Sequence, residues 1–228
     1  MSALFDRVAH VKGTIAEACK RANRSPAEVK LVAVTKTVPT DIIAQAYGAG
    51  LRVFGENRVQ EAQPKIGKLP ADIEWHFIGH LQSNKAKVCA GLFDMIHSVD
   101  SVRLGKRLAA RAATGHAIRM LLQVNLTGKT SQSGFAPEEV GPAVAALAGE
   151  SSVALEGLMT IAPQVTDREA VRPWFRQLAD LYRDLAATAA GHPWRHLSMG
   201  MTEDYPIAIE EGATLVRVGR ALFGERPA

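Results

Sequence analysis

Cysteine is scarce. Only Cys19 and Cys89 occur in 228 residues, far apart and each inside an amphipathic helical pattern. No CxxC pair and no disulfide framework can be built, so two buried, reduced thiols are expected. Long apolar runs are missing as well: none approaches the roughly 20 residues of a membrane-crossing helix. The opening MSALFDRVAHVKG carries both acidic and basic residues, unlike a secretory signal. One-sided charge is absent too, with 27 basic residues against 23 acidic ones, a formal +4. That surplus is weak ground for nucleic-acid binding and suits a small anionic ligand equally well. No basic patch interleaves with aromatics in the manner of a nucleic-acid surface. Metal-ligand spacing is also lacking, because His76 and His80 fall in a strand pattern that separates them by roughly 13 Å, and no acidic pair completes a site.

What remains is an ordinary globular composition, 47% hydrophobic and 22% charged, able to bury a core and unlike that of a disordered chain. A soluble, cytoplasmic protein is the expectation. The densest basic stretch, RLGKRLAARAATGH, repeats Arg103, Lys106, Arg107 and Arg111 near helical spacing and reads as a solvated helix face.

Leu4, Val8, Val11, Ile15 and Ala18 recur every three or four residues, so the chain opens with an amphipathic helix. SPAE then offers Ser25 as cap, Pro26 at the first helical position and Glu28 three after the cap, a capping box for one short turn. From LVAVTK onward, strand and helix patterns alternate. The strand candidates are LVAVTK, RVFGE, IEWHFIGH, DMIHSVD, IRMLLQVNL (the longest), ALEGLMTIAP, RHLSMGM and TLVRVGRALFG. Seven helical patterns separate them, including SNKAKVCAGL with Ser83 as its cap. Such alternation indicates a parallel sheet with helices outside, and eight repeats favour a closed (β/α)8 barrel. Few residues follow the last strand, so the N-terminal helix is expected to cover the vacant eighth position. No composition break divides the chain, and one domain over residues 1–228 is the expectation.

The first strand raises a chemical question. LVAVT is apolar and β-branched, and then Lys36 appears before Pro39 ends the ladder. Alternation puts Val32, Val34 and Lys36 on one face. If the valines point inward, the amine stands at the carboxyl-end rim, where barrels of this class bind ligands. A lysine at a strand end also snorkels into water. In a partly buried setting near other cations, however, a lysine amine can attack a carbonyl and form an imine.

The loops after strands seven and eight commonly build a phosphate site. HLSMGMTEDY places Ser198, Gly200 and Thr202 there, with Thr202 as a cap for a helix beginning near Glu203. VRVGRALFG places Gly219 and Arg220 in the other loop, with Arg217 on the same face as Gly219. Each residue has an ordinary structural role available: Ser198 and Thr202 as caps, Gly219 in a turn, Arg217 in an ion pair. Together, opposite an imine-forming lysine, they suit a phosphorylated carbonyl compound. Pyridoxal 5′-phosphate (PLP) fits that description, and so do the sugar-phosphate substrates of Schiff-base aldolases.

AVTKTVP, FGENRVQEA, WHFIGHLQSNK, HSVDS, LLQVNLTGKTSQSGF, LEGLMTIAP, HLSMGMTEDY and VRVGRALFG, in that order from about residue 30 to residue 224, resemble the pyridoxal phosphate homeostasis proteins, the YggS/PROSC family. The resemblance implies a barrel like the N-terminal domain of alanine racemase, with PLP held as a Schiff base on Lys36. It implies that Asn57 lines the pocket near the ring and that Met159 lies close to the cofactor. It further implies phosphate contacts from Ser198 and Thr202 and backbone donation by Gly219 and Arg220. Arg217 would face either the pyridine nitrogen or the phosphate. Strand alternation puts His80, in IGHLQSNK, on the same rim, as either a hydrogen-bonded rim histidine or a cofactor contact.

An arginine facing the pyridine nitrogen cannot protonate-share with it as a carboxylate does, because its pKa exceeds ~12, and the electron sink is weakened. A racemase also needs a second acid–base group. In alanine racemases a separate C-terminal domain supplies it as a tyrosine, whereas this chain ends just past strand eight. Tyr47, Tyr182 and Tyr205 all fall in or beside helical patterns, with Tyr205 near the phosphate loop. The expectation is a monomeric PLP carrier for vitamin B6 homeostasis that contacts apo-enzymes transiently and binds neither nucleic acid nor membrane. The alternatives are a weak amino-acid racemase and a Schiff-base aldolase.

Overall fold

A computed structural model describes residues 3–112, 117–188 and 193–225; residues 113–116 of the basic stretch lie outside this description. Helix α1 (Ala3–Arg21) buries Leu4, Val8, Val11, Ile15, Ala18 and Cys19 along one stripe, as the three-and-four spacing requires. A single 3-10 turn follows at Pro26–Glu28, where Ser25 N donates to Glu28 Oε1 at 2.8 Å and Ser25 Oγ accepts from Ala27 N at 3.3 Å.

Eight strands then appear: β1 (Lys30–Val34), β2 (Val53–Glu56), β3 (Glu74–Phe77), β4 (Met95–Val99), β5 (Ile118–Val124), β6 (Val153–Thr160), β7 (His196–Met201) and β8 (Leu215–Val218). They pair in sequence order, all parallel, and β8 closes on β1. Between them run α2 (Thr40–Gly48), α3 (Val59–Ile66), α4 (Ala86–Ala90), α5 (Val102–Ala109), α6 (Pro137–Ala148), α7 (Arg172–Thr188) and α8 (Tyr205–Glu210). A four-residue helix, α9 (Arg220–Phe223), follows β8. It is too short to cover the sheet, and α1 packs against both α8 and α9. The expected (β/α)8 barrel with a preceding helix is therefore the observed architecture.

Four local expectations are corrected. The longest strand is β6, with eight residues against seven in β5. Strand β3 stops at Phe77, three residues before His80. The helix after it begins as a 3-10 turn, Ser83–Lys85, with Gln82 in the cap position and no side-chain cap. Helix α8 starts at Tyr205 with Asp204 rather than Thr202 in the cap position, because Asp204 Oδ1 binds Met201 N at 2.6 Å and closes residues 201–204 into a turn of their own.

Period-two alternation sorts the strand side chains into two cores. The outward set packs under the helices, with Phe54, Phe77, Ile96, Leu122 and Val216 fully or almost fully buried; burial of one such side chain is worth about 1.5–3 kcal/mol. The inward set forms a small cluster of Val32, Met95, Leu121, Met159 and Leu215. Below this cluster, at the strand N-termini, Arg119 donates to Glu74 at 2.8 Å and to both oxygens of Glu156 at 2.9 and 3.0 Å. Gly157 makes the β5–β6 register shift possible. Its φ of +145° suits glycine, and a Cβ there would sit 1.8 Å from His196 O.

Candidate functional site

A cleft of about 730 Å³ opens at the carboxyl ends of β1, β6, β7 and β8. Its walls are built from loops that follow the strands, as in other barrels of this class.

Lys36 reaches the cleft from the turn after β1. That turn is held on two sides. Thr35 N donates to Gly55 O at 2.9 Å and Val38 N donates back to Thr35 O at 2.9 Å. Thr35 Oγ1 donates to the wholly buried Glu56 carboxylate at 2.7 Å, and Lys65 Nζ on α3 bonds both Glu56 Oε1 and Thr35 O at 2.8 Å. Burial pushes the Glu56 carboxyl up, while Lys65 and Thr35 oppose the rise. Thr37, directly after the lysine, has φ of +63°. A β-branched residue in that region is strained, and Thr37 Oγ1 bonds the Lys36 carbonyl at 2.6 Å.

Arg217 enters from β8 and is 5% exposed. Its Nη1 donates to Ser198 Oγ at 2.6 Å and its Nη2 to Thr160 O at 2.8 Å. Burial lowers its pKa to about 10, with Asp204 opposing. Burial also raises the Asp204 carboxyl, against the pull of Met201 N and Arg217. Asn57, just past β2, lines the cleft, and its buried Oδ1 has no hydrogen-bond partner among the described residues. Gly79 presses on the backbone of Asn57, where a Cβ would stand 2.2 Å from Asn57 O. Gly200, at φ of +89°, lets β7 turn into α8, since a Cβ there would meet Ala208 Cβ at 2.6 Å.

Lys36, Asn57, Thr202, Arg217, Gly219 and Arg220 thus share one cleft. At its rim, Glu203 pairs with Arg220 at 2.8 Å and with Arg168 at 2.9 Å. Ser198 and Met159 lie beneath the surface and are fully buried, Ser198 against Arg217 and Met159 in the inner apolar cluster. His80 is elsewhere. It lines a separate, polar depression of about 630 Å³, where its Nδ1 lies 3.2 Å from both Asp100 Oδ2 and Ser133 Oγ. Strand alternation fails for His80 because β3 has already ended.

Sequence reading missed the Glu56–Lys65 clamp and the buried histidines His76 and His97. Parity along β3 and β4 was the available signal, since His76 is two residues from the inward Glu74 and His97 two from the inward Met95. Both cysteines are buried and free. Among the described residues, no group of three or more His, Cys, Asp or Glu side chains could hold a metal, and no helix is long and apolar enough to cross a membrane.

Residues 10–227 match the family described as alanine racemase, N-terminal domain. The chain is 42% identical over 223 residues to the pyridoxal phosphate homeostasis protein of Aquifex aeolicus (strain VF5), covering 97% of each. It superimposes with a TM-score of 0.85 on the solved structure of PipY from Synechococcus elongatus PCC7942 with PLP bound, at 39% identity over 97% of this chain and 100% of PipY. The alanine racemase of Clostridium difficile 630 gives a TM-score of 0.69 at 15% identity, covering 98% of this chain and 58% of the racemase; that likeness concerns the fold alone.

Proposed function

Because the chain belongs to the alanine racemase N-terminal domain family, and within it to the pyridoxal phosphate homeostasis proteins, we propose that its cleft holds PLP reversibly, as a Schiff base on Lys36, for intracellular cofactor supply. One observation carries this reading: an amine, Lys36, and a buried donor-only guanidinium, Arg217, line the same cleft from opposite sides of the β1–β8 junction.

The residues present fit the group. Asn57 Oδ1 is a buried acceptor without a partner among the described residues, which a ligand hydroxyl or N–H would satisfy. Glycine at 219 keeps the backbone beside Val34 open, with space where a Cβ would come 3.4 Å from Val34 Cβ. The Thr202 hydroxyl and the Gly219–Arg220 backbone are the donors assigned to the phosphate. Met159 lies in the apolar layer below, and Ser198 acts through Arg217. When bound, PLP supplies an aldehyde carbon for an amine and a ring that withdraws electrons.

The chain's own residues favour holding over turnover. Arg217 accepts no proton, so it cannot sustain a protonated ring nitrogen. No tyrosine is among the cleft-lining residues: Tyr47 bonds Asp72, Tyr182 meets Trp194 edge-on and Tyr205 is buried at the start of α8. The role proposed is that of a monomeric cytoplasmic carrier that buffers free aldehyde and passes it to apo-enzymes.

Titration with PLP tests this directly. The protein should turn yellow, and borohydride should bleach it and leave the added mass on Lys36. A colourless protein labelled only in the presence of a sugar phosphate would favour the aldolase. Racemisation of a free amino acid at about 1 s⁻¹ or faster would make it an enzyme.

A further inference from the structure

Beneath the cleft, Arg217 heads a file of polar groups that descends the barrel axis. Arg217 Nη1 donates to Ser198 Oγ at 2.6 Å. Ser198 Oγ lies 2.8 Å from His97 Nδ1, and His97 Nε2 lies 2.9 Å from His76 Nδ1. His76 Nε2 stands 3.1 Å from Glu74 Oε1, within ion-pair distance but without hydrogen-bond geometry. Ser198, His97 and His76 are completely buried.

One arrangement of hydrogens satisfies the file from its upper end downward. A guanidinium carries donors only, so the Ser198 oxygen accepts from Arg217, and the hydroxyl hydrogen is satisfied when His97 Nδ1, 2.8 Å away, accepts it. His97 Nδ1 is therefore bare and its Nε2 protonated. That N–H faces His76 Nδ1, which must be bare in turn, leaving the His76 proton on Nε2, toward Glu74. Glu74 Oε1, 3.1 Å from His76 Nε2, places negative charge beside that N–H, so the lower end favours the same tautomer that the upper end imposes. A doubly protonated ring would place two hydrogens against each other, and burial holds both histidines below their ordinary pKa.

We propose that His97, backed by His76, is a positioning residue for the cleft: by taking the Ser198 hydroxyl hydrogen it turns that oxygen's lone pair to Arg217 and fixes how the guanidinium faces the ligand. Ser198 then has no hydrogen left for a phosphate and serves the cleft only through Arg217. The proposal rests on the PLP reading for the ligand, whereas the hydrogen directions do not depend on it.

Ring ¹⁵N spectra of the full chain without ligand should show both His97 and His76 with pyridine-type Nδ1 and protonated Nε2 at neutral pH. Protonated Nδ1 on His97 overturns the proposal. In PLP titrations, His97→Leu should bind about tenfold more weakly, the worth of one net hydrogen bond. His97→Asn, whose Oδ1 can stand where Nδ1 accepts, should recover most of that loss. A His97→Leu protein that binds like the parent, or equal losses in both variants, overturns it. If His97→Leu does not fold, the parent tautomers and the Asn variant decide. Failure of the parent to bind PLP would sink the cofactor reading alone, and the ring spectra would still judge the file.

Discussion

Arg217 is a residue that the fold tolerates at a cost. Its pKa falls from 12.5 to about 10 on burial, which corresponds to about 3 kcal/mol of unfavourable desolvation. Arg217→Met removes that cost and leaves Ser198 Oγ and Thr160 O without a donor, a loss of about 1–3 kcal/mol. The thermal midpoint of the variant should therefore be no lower than the parent's, while its PLP affinity falls at least tenfold; a clear drop in midpoint would contradict the ledger. Lys36→Ala makes the complementary case. It should keep the circular dichroism and melting curve of the parent and lose the borohydride-fixable adduct. Both residues were legible in the sequence because strand parity and loop position are local properties. Ser198 was legible as a neighbour of the site but not in its contact, because a hydroxyl on an inward position meets whatever crosses the barrel, and His97 comes from β4, 101 residues away.

Among the elements, α3 does more than cover β2. Its Lys65 neutralises Glu56 and caps the Thr35 carbonyl, so one helix fastens the turn that carries Lys36. Lys65→Met leaves a fully buried carboxylate unpaired and should cost about 3–5 kcal/mol in urea denaturation. Adding Glu56→Gln should return much of that loss, since the uncompensated charge goes with it. A Lys65→Met protein as stable as the parent would show that the clamp is idle. On the far side, Gly157→Ala forces a side chain onto the His196 carbonyl and should cost several kcal/mol or prevent folding, as read by soluble yield and melting temperature. Element order was readable because short apolar, β-branched-rich runs alternate with three-and-four-residue helical spacing. Element ends were not: the cap position of α8 and the termination of β3 depend on bonds such as Asp204 to Met201 that no spacing announces.

At the scale of the whole molecule, burial of histidines inside the barrel shapes the response to acid. Burial lowers the pKa of His76 and His97, and lowers that of His196 to about 4. The unfolded chain, with histidines near 6.5, therefore takes up protons first as the pH falls. Stability should be full above about pH 6.5 and decline toward pH 4, with His196 alone contributing on the order of 3 kcal/mol. Glu56 and Asp204, whose carboxyls are raised by burial, work in the opposite sense and soften the fall near its lower end. Urea midpoints at pH 7.5, 6, 5 and 4 measure the sum, and a midpoint that rises on acidification would refute it. His97→Asn and His76→Asn should flatten the profile.

Strand β1 meets β8 along Lys30–Leu215 to Ala33–Val218, so the hoop is fastened between stretches of chain some 185 positions apart. Of the strand pairings it closes the longest loop and so carries the largest closure entropy, and the cleft sits directly on top of it, one wall from each side. A molecule gripped at once by Lys36 and by the Gly219 loop would act as a buckle, and an empty protein should spring open there sooner than a laden one.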